Sequence, residues 1–593
     1  MSCIDTFLQR AKRDEPVYIS EVRKAFADEG TRPFHCHVRL YDDSVRRFEM
    51  KLPEWANEEE QVFAASYVHA TIYNILSALG AKRIDIYPDT SDAALTALAG
   101  ELDRVFQTQL SKEERSGYGK CLNVNERTLA ALFGRETRFA FRINDISAEP
   151  VVQENSSAAA TGRPVFAELP DRVQDKMLMG MDIGGTDIKL VAAVNGKLCA
   201  FKEYDWFPAG FAHAEQLIDP ILLLTRLMRA AANLAYLGKA DRICENAMDK
   251  HATWEEMCAA TEKMENEAGE TMKGFDAIGL CFPDVVIRNR IVGGETYKTR
   301  GMRDCRDRDY EEQFARITNL CDRLRAYVRD GGAVRNTNDG PMAAFTTAVE
   351  QAAAGSSLTD GFFAHTLGTE LGTGWIQADG SIPEIPLEVY NFIIDLGSYA
   401  QQKYDVDDVR SCRNFNTGLS GTLQKCTCQS GVFRLAAKLL PDADPKTYDR
   451  VFEKGLFEKI GDKLIVPVSP KDLRKPCLEF FMHEAEQADS VCAEIFRKVG
   501  EFMAVTWQET EYILNPACRE RTLYGRLVKT QRCFDLICEG ARRIEPALRM
   551  QAANGDMANT ALMRQLKEHP VYTVAQFAQA VGAVYYACVQ EQE

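Results

Sequence analysis

The chain has 593 residues, of which 46% are hydrophobic and 27% are charged, a composition typical of globular proteins of about two to four domains and unlike that of collagen or disordered chains. Its 71 Lys and Arg residues are outnumbered by 87 Asp and Glu residues, and the net charge of −16 disfavours binding to nucleic acid or to anionic membranes. The 18 cysteines are scattered along the chain, which favours reduced thiols over a disulfide framework.

The apolar runs of the sequence are not typical of a secretion signal or a membrane span. The N-terminus, MSCIDTFLQRAKRDEP, carries charges where a signal peptide needs apolar residues. The longest apolar stretch, PILLLTRLMRAAANLAYLG, is interrupted by Arg226 and Arg229, which favours a buried or amphipathic helix. We therefore expect a cytoplasmic protein.

The first 172 residues predict a small α/β domain followed by a linker. HCHVRLYD and RRFEMKLP are typical of a strand pair, EEQVFAASYVHATIYNILSALG of a long helix and KRIDIY of another strand. Residues 144–172 combine Pro, Ser, Ala and Gly without a sustained period, as linkers do. Two strand-like runs and helical residues at 211–273 follow.

The octet from Asp182 to Lys189, DIGGTDIK, lies between the apolar runs LMGM and LVAAV. A glycine pair between two strands lets backbone N–H groups approach a phosphate closely, because no Cβ intervenes. Asp182 would then face a hydrated Mg²⁺, while Thr186 and Lys189 would offer a hydroxyl and a cation. The alternative is an ordinary hairpin with a turn at Gly184 and Gly185.

This octet resembles the first phosphate loop, D-x-G-G-T-x-x-K, of the ROK family of sugar kinases and regulators, within the actin-like ATPase superfamily. Further segments resemble family landmarks in the same order along the chain. They are FDAIGLCFPDVV with Gly279 and Pro283, VRNTNDGPMAA, HTLGTELGTGWI, which resembles the second phosphate loop, then ILNPACRERTLYGRL and the closing helix TVAQFAQAVGAVYYA.

The resemblance implies an α/β fold with a two-lobed actin-like ATPase core, of ribonuclease H-like type, over residues 173–593. Residues 1–172 would form an extra N-terminal α/β domain, and insertions near 205–273 and 435–485 would enlarge the core. A chain that begins near residue 172 would then retain nucleotide binding. ATP and Mg²⁺ are the implied cofactors and a sugar is the implied substrate, with a homodimer left open. The implied nucleotide-binding residues are Asp182, Gly184, Gly185, Thr186, Lys189, Gly368, Thr369, Gly372, Thr373, Gly374 and Gly525.

Asn338 and Asp339 fall on the family's N-D pair, which implies that Asn338 binds substrate and that Asp339 is the general base. Because phosphoryl transfer depends mostly on positioning and charge stabilisation, a carboxylate of ordinary pKa is sufficient as a late-acting base. An Asn or Asp before AAFTTAVEQAAA could equally cap a helix. Because Asn338 and Asp339 occur in the family order of landmarks, the general base is the preferred interpretation of Asp339.

The sequence departs from the family at several positions. Glu370 replaces a glycine of the second loop, where it would bind a metal, turn outward or weaken nucleotide binding. Glu388, with Glu384 as a rival, falls on the family's sugar-binding Glu, and Asn391 replaces the His that follows it. Both Glu388 and Asn391 are therefore expected to bind substrate.

The zinc cluster of the family, C-x-C-G-x-x-G-C, is not reproduced, so no metal-ligand set is predicted. Cys412, Cys426 and Cys428 are interpreted as reduced structural thiols, although three thiolates could hold zinc with an outside ligand. In the polar segment after Gly294, Lys298 and Arg300 could meet an anionic group, but a solvated loop is the preferred interpretation.

Two functions from different classes follow from these observations. The first is ATP-dependent phosphorylation of a hydroxyl on a sugar or sugar-like substrate. The alternative is a non-catalytic regulator of the same family that binds a sugar or nucleotide. Such regulators carry a basic helix-turn-helix, whereas the strands predicted in the N-terminal region and the negative net charge disfavour a DNA partner. A protein-interaction module that binds nucleotide without turnover stays open as a third.

Overall fold

The computed structural model describes residues 2–151, 168–294, 297–401, 403–487, 490–553 and 557–589; part of the predicted linker, 152–167, lies outside these residues. The chain divides into two compact units. Unit 1 comprises Met1–Ala158, His365–Thr373 and Ile385–Ala552, and unit 2 comprises Ala159–Ala364, Gly374–Glu384 and Ala553–Glu593. Each unit is therefore assembled from segments that are distant in the sequence.

The described strands and helices are numbered in chain order. The strands are β1 (Arg32–Arg39), β2 (Val45–Leu52), β3 (Arg83–Pro88), β4 (Ala140–Ile143), β5 (Met177–Ile183), β6 (Asp187–Val194), β7 (Lys197–Asp205), β8 (Phe275–Phe282), β9 (Val286–Ile287), β10 (Arg290–Ile291), β11 (Val328–Asn338), β12 (Phe362–Leu367), β13 (Leu371–Ile376), β14 (Glu458–Ile460), β15 (Lys463–Ile465), β16 (Glu520–Tyr524) and β17 (Arg549–Ala552). The helices are α1 (Cys3–Lys12), α2 (Ile19–Glu29), α3 (Glu58–Leu79), α4 (Ala93–Gly100), α5 (Leu102–Val105), α6 (Cys121–Phe133), α7 (Leu169–Arg172), α8 (Ala214–Tyr236), α9 (Glu245–Met248), α10 (Trp254–Ala268), α11 (Arg300–Asp304), α12 (Tyr310–Thr318), α13 (Leu320–Leu324), α14 (Asp339–Ala353), α15 (Cys428–Ala443), α16 (Pro445–Glu453), α17 (Arg474–Glu484), α18 (Val491–Leu514), α19 (Gln531–Ile544), α20 (Ala561–Lys567) and α21 (Val574–Ala587).

The N-terminal sheet of unit 1 has the strand order β2-β1-β3-β4. β1 is antiparallel to β2 and β3, and β4 is parallel to β3. The predicted strand pair, long helix and third strand are confirmed as β1, β2, α3 and β3. Among the described residues α3 is the one helix long and apolar enough to cross a bilayer, and 83% of its most apolar window is buried inside the protein.

The predicted domain boundary near residue 172 differs from the division of the structure, because the N-terminal region belongs to unit 1 together with 385–552. Arg23 in α2 donates a hydrogen bond of 2.5 Å to the buried carboxylate of Glu509 in α18. Asn74 in α3 donates to the same carboxylate at 3.1 Å. The N-terminal helices therefore contribute partners to the core of unit 1.

The sheet of unit 2 has the strand order β11-β8-β5-β6-β7, in which β11, β8 and β5 are parallel and β5, β6 and β7 form antiparallel pairs. The predicted closing helix is confirmed as α21, which packs on this sheet. A Cβ at Gly180 in β5 would lie 1.9 Å from the Ala580 carbonyl, and one at Gly279 in β8 would lie 1.9 Å from the Ala583 carbonyl. Glycine on these two strands is therefore what allows α21 to approach.

A further four-stranded sheet has the order β13-β12-β16-β17, and the boundary between the units passes through β12 and β13. The predicted strand, glycine turn and helix near the C-terminus are confirmed as β16, Gly525 and α19. The predicted helical residues at 211–273 are confirmed as α8, α9 and α10, which pack beside the sheet of unit 2 in its hydrophobic core.

Candidate functional site

The glycine pair of the octet lies at the tip of the hairpin between β5 and β6. Asp182 pairs with Lys189 across the two strands, so both residues stand at the base of the tip. The Gly184 N–H donates to the Asp187 carbonyl at 2.7 Å. The Trp206 indole N–H donates to the Gly184 carbonyl at 3.0 Å. The tip is thus held by hydrogen bonds on both of its sides.

Two lysines lie at this tip, and their partners differ. Lys189 forms an ion pair of 2.6 Å with Asp187, which satisfies its charge locally. Lys298 lies against the glycine pair, since a Cβ at Gly185 would lie 3.1 Å from its Cε. The Lys298 ammonium donates to the Pro283 carbonyl at 3.3 Å. The preferred interpretation of a solvated loop did not place Lys298 beside the glycine pair.

Asn338 and Asp339 stand where β11 ends and α14 begins. Asn338 is the N-cap residue, because its side-chain oxygen accepts from the Gly340 N–H at 2.9 Å. The Asp339 Oδ1 accepts from the same N–H at 2.8 Å. The Asn338 amide also donates to the Asp284 carbonyl at 2.6 Å. Asn338 therefore caps α14, and the start of this helix does not require Asp339 as a second cap.

The sheet topology brings Asp182 and Asp339 to the same edge. Asp182 pairs with Cys281 of β8, and Phe282 of β8 pairs with Asn338 of β11, so the carboxyl ends of three parallel strands meet there. Neighbouring strands are about 4.8 Å apart, so the backbones of β5 and β11 are about 10 Å apart. Two aspartate side chains at that separation can both approach one cation. We call Asp182 and Asp339 the carboxylate pair.

Both carboxyl groups have pKa values above the ordinary value of an aspartate. Burial raises the pKa of Asp182 to about 6, and the negative charge of Asp339 adds to this increase. The Cys281 thiol, which donates to Asp182 Oδ1 at 3.2 Å, and the Lys189 ammonium lower the Asp182 pKa by less. Burial also raises the pKa of Asp339, while the Lys298 ammonium and the Gly340 N–H oppose this increase. At both carboxyl groups burial therefore outweighs the effect of the neighbouring lysine.

We expect Asp182→Asn to stabilise the protein at pH 8 in the presence of EDTA, by about 1–3 kcal/mol. The pKa of Asp182 is higher in the folded state than the ordinary 3.8. The stability of wild type is therefore full below about pH 4, where the carboxyl group is protonated, and it falls as the pH rises through about 6, because the buried group then ionises. The asparagine keeps an oxygen that accepts from Cys281 but carries no buried charge. Urea unfolding between pH 4 and 8 measures the difference, and a variant less stable than wild type at pH 8 would contradict it.

The second glycine segment forms the connection between β12 and β13. The Gly368 N–H donates to the Glu370 carbonyl at 3.3 Å, and Thr369 is exposed. The Thr373 hydroxyl is buried and lies 3.1 Å from Nδ1 of His365, whose pKa burial lowers to about 3. Thr373 therefore has a partner inside unit 1, which Thr369 lacks among the hydrogen bonds described for this segment.

Two further glycines of the predicted nucleotide site have close packing neighbours. A Cβ at Gly374 would lie 2.3 Å from the Ala344 Cβ of α14. Gly525 has φ of +97°, and a Cβ there would lie 2.5 Å from the Leu367 carbonyl. Packing alone therefore requires glycine at both positions, and their predicted nucleotide contacts stay predictions.

Glu370 is held by polar neighbours within unit 1. The residue is exposed, but the protein around its carboxyl group removes water from it and raises its pKa to about 7. A hydrogen bond from Gln424 and the charges of Lys425 and Arg474 lower the pKa by less. Gln424 is thus a neighbour of Glu370, and the three outcomes considered from the sequence stay predictions.

Glu388 and Asn391, which are predicted to bind substrate, lie in unit 1. The Asn391 amide is 3.4 Å from Glu388 Oε2, and the Asn414 amide is 3.4 Å from the Asn391 side-chain oxygen. The rival Glu384 lies in unit 2 and forms an ion pair of 2.6 Å with Arg288. The structure thus brings Glu388 and Asn391 together and leaves Glu384 with another partner.

The described residues contain no group of three or more His, Cys, Asp or Glu side chains arranged to hold a metal ion. Cys412, Cys426 and Cys428 are buried and carry free thiols. Burial raises the pKa of the Cys426 thiol to about 12.

No family model matches the sequence, and no curated protein matches it. The solved structures to which the chain is similar include a ROK family glucokinase from Streptomyces griseus in complex with glucose and AMPPNP, with 16% identity, a TM-score of 0.36 and coverage of 69% of this chain and 98% of that chain. A ROK hexokinase from Thermus thermophilus has 14% identity, a TM-score of 0.36 and coverage of 69% and 97%. A glucokinase from Parabacteroides distasonis has 15% identity, a TM-score of 0.32 and coverage of 70% and 98%.

Proposed function

We propose that the protein transfers the γ-phosphoryl group of ATP to a hydroxyl of a sugar or sugar-like substrate. The observation that carries the proposal is the arrangement in unit 2 of the carboxylate pair, the Gly184–Gly185 tip and Lys298 at the carboxyl ends of β5, β8 and β11. Open α/β sheets bind their ligands at this edge. Backbone N–H groups, a cation and two carboxylates are the groups that phosphoryl transfer requires.

Asp339 is proposed as the general base that accepts the proton of the attacking hydroxyl. Its carboxylate stands at the first position of α14, and the N-cap role belongs to Asn338. Burial raises its pKa, which makes the carboxylate a better proton acceptor than an exposed aspartate. Lys298 opposes this increase and so helps to keep Asp339 ionised at neutral pH.

The carboxylate pair fits Mg²⁺. Mg²⁺ in ATP-dependent enzymes is usually bound by one or two carboxylates together with waters and substrate phosphates, so a cluster of three protein ligands is not required. Asp182 would hold the ion, with the negative charge of Asp339 nearby, and the raised pKa of Asp182 is one that a nearby divalent cation would lower. When bound, Mg²⁺ neutralises the charge of the phosphates.

The remaining assignments stay proposals that the family resemblance carries. In unit 2 they are Thr186 and Lys189 of the first loop. In unit 1 the proposed nucleotide-binding residues are Gly368, Thr369, Gly372, Thr373 and Gly525, and the proposed sugar-binding residues are Glu388 and Asn391. Unit 2 also contains Gly374, proposed to bind nucleotide, and Asn338, proposed to bind substrate.

The test of the proposed function is ADP release with Mg-ATP and a panel of sugars and other hydroxyl compounds. A sugar-dependent rate above the background ATPase rate is expected for at least one compound. If no compound raises the rate while Mg-ATP or a sugar binds by calorimetry, the regulator of the same family is the better assignment.

We expect Lys298→Met to lower kcat on the order of 10²-fold, because it removes the cation beside Gly185 and the phosphoryl group. The acid limb of the kcat/KM profile should also move to higher pH, since Lys298 lowers the pKa of Asp339. Lys298→Arg keeps the charge and should retain the wild-type limb. An unchanged kcat and pH profile in Lys298→Met would remove Lys298 from the mechanism.

A further inference from the structure

A buried carboxylate that has no part in the proposed reaction follows the end of β8. Asp284 is the second residue after this strand, and its side chain is buried. Its Oδ1 accepts from the Val285 N–H at 2.9 Å, and its Oδ2 accepts from the Gly294 N–H at 2.7 Å. Both oxygens of the carboxylate therefore accept backbone N–H groups, and one of these groups lies ten residues later in the chain.

The space around this carboxylate is narrow. A Cβ at Gly293 would lie 1.4 Å from Asp284 Oδ1, so a glycine at this position leaves room for the carboxylate. The Val292 N–H donates to the Val285 carbonyl at 2.9 Å, and β9 pairs with β10 between them. The loop from Asp284 to Gly294 is therefore closed by hydrogen bonds at its base, where the carboxylate lies.

Gly294 anchors the segment that carries Lys298. Its carbonyl accepts from three side chains that follow it in the chain, at 3.1, 2.7 and 2.6 Å, namely the Thr299 hydroxyl, Arg303 Nη1 and the Tyr310 hydroxyl. Its N–H donates to the Asp284 carboxylate. Residues 297–303 are therefore tied to Asp284 through Gly294.

The same turn of the chain contacts the carboxyl end of β11. The side-chain amide of Asn338, the residue before Asp339, donates to the Asp284 carbonyl at 2.6 Å. The Lys298 ammonium donates to the carbonyl of Pro283 at 3.3 Å. Pro283 and Asp284 thus contact both the cation of the proposed site and the residue beside the proposed base.

We propose that Asp284 is a positioning residue for the phosphoryl transfer proposed for this chain, and the inference rests on that proposed function. Its carboxylate acts on Lys298 through the Gly294 N–H, and its carbonyl acts on Asp339 through the Asn338 amide. In this role Asp284 does not touch the substrate. Displacement of a reacting group by about 1 Å can cost on the order of 10²-fold in rate, so a residue that fixes two such groups has a large effect on turnover.

The test is a double-mutant cycle between Asp284→Asn and Lys298→Met in ADP release with the best sugar of the panel. Asp284→Asn should lower kcat at least about ten-fold, because an amide oxygen can accept from one of the two N–H groups and the amide nitrogen cannot accept from the other. Lys298→Met should cost on the order of 10²-fold in the wild-type chain but less than about ten-fold in Asp284→Asn, where Lys298 is already displaced. The matched control is Asp241→Asn, the same change at an exposed position of unit 2, which should leave kcat and the effect of Lys298→Met unchanged.

Gly293→Ala tests the same contact without a change of charge. The added Cβ displaces the Asp284 carboxylate, so this variant should reproduce both the lower kcat and the weaker effect of Lys298→Met. Gly100→Ala is its control, because a Cβ at Gly100 meets no atom within 4 Å, and it should behave as wild type does.

Tyr310→Phe replaces the Asp284 and Gly293 variants if thermal melts show that both are unfolded. It removes the hydroxyl that donates to the Gly294 carbonyl and should give the same coupling with Lys298→Met at a smaller loss. A wild-type kcat in Asp284→Asn, or effects that are additive with Lys298→Met in a folded variant, would overturn the role of Asp284 and leave the proposed function standing. A wild type without sugar-dependent ADP release would instead overturn the proposed function, and the positioning role with it.

Discussion

Asp339→Asn is expected to lower turnover by about 10²- to 10⁴-fold while nucleotide binding changes little and thermal stability does not fall. The amide oxygen can accept from the Gly340 N–H as the carboxylate does, so the start of α14 is preserved. The variant removes the basic oxygen that would take the proton of the attacking hydroxyl. ADP release with the best sugar of the panel, beside a thermal melt, measures both effects.

The rival role for Asp339 is a structural one at the helix start. Asn caps a helix about as well as Asp, so a structural role predicts that activity survives in Asp339→Asn. Asp241→Asn makes the same change at an exposed position of unit 2 and should be silent in both assays. Equal turnover of wild type and Asp339→Asn would exclude the base assignment and leave the carboxylate as part of the Mg²⁺ or helix environment.

The elements that the sequence predicted well are those whose signal is local. The hairpin around Gly184 and Gly185 follows from two apolar runs separated by a glycine pair, and the structure has it at β5 and β6. The start of α14 follows from Asn338 before a run of small residues, because side-chain capping acts within three residues. Both features place candidate site residues without knowledge of the rest of the chain.

The parts of the site that the sequence did not predict depend on contacts between distant residues. A polar segment after two glycines is most simply a solvated loop, yet Lys298 packs against Gly185, more than a hundred residues earlier in the chain. Cys281, which donates to Asp182, stands in an apolar strand where a cysteine usually indicates core packing. The parallel pairing of β5 and β8 brings these residues together, and no local pattern encodes that pairing.

The membership of the N-terminal region in unit 1 has the same origin. The sequence predicted that α2 belongs to a separate N-terminal domain. In the structure Arg23 of α2 pairs with Glu509, which lies 486 residues later in the chain. The side chain of Glu509 is 0% exposed, so it requires a partner in the folded protein. A linker-like composition before residue 172 does not reveal which segments share a core.

Deletion of residues 1–171 is therefore expected to leave unit 1 unfolded, contrary to the retention of nucleotide binding that the sequence suggested. The truncated chain loses both groups that donate to Glu509, Arg23 and Asn74, together with the buried apolar residues of α2 and α3. Breaking a buried ion pair by removing one partner alone costs about 3–5 kcal/mol. Solubility and the near-ultraviolet circular dichroism of the truncated chain measure the loss.

Point variants test the same contact in the full chain. Arg23→Met should destabilise unit 1 by about 3–5 kcal/mol in urea unfolding, because Glu509 keeps its buried charge and loses its cation. Arg23→Met combined with Glu509→Gln should recover much of that loss, since the remaining amide is neutral and can still bond to Asn74. Arg13→Met, at an exposed pair with Glu15, is the matched control and should cost less than about 1 kcal/mol. A soluble, cooperatively folded chain from residue 172 onward, or a neutral Arg23→Met, would show that the N-terminal region is an accessory domain after all.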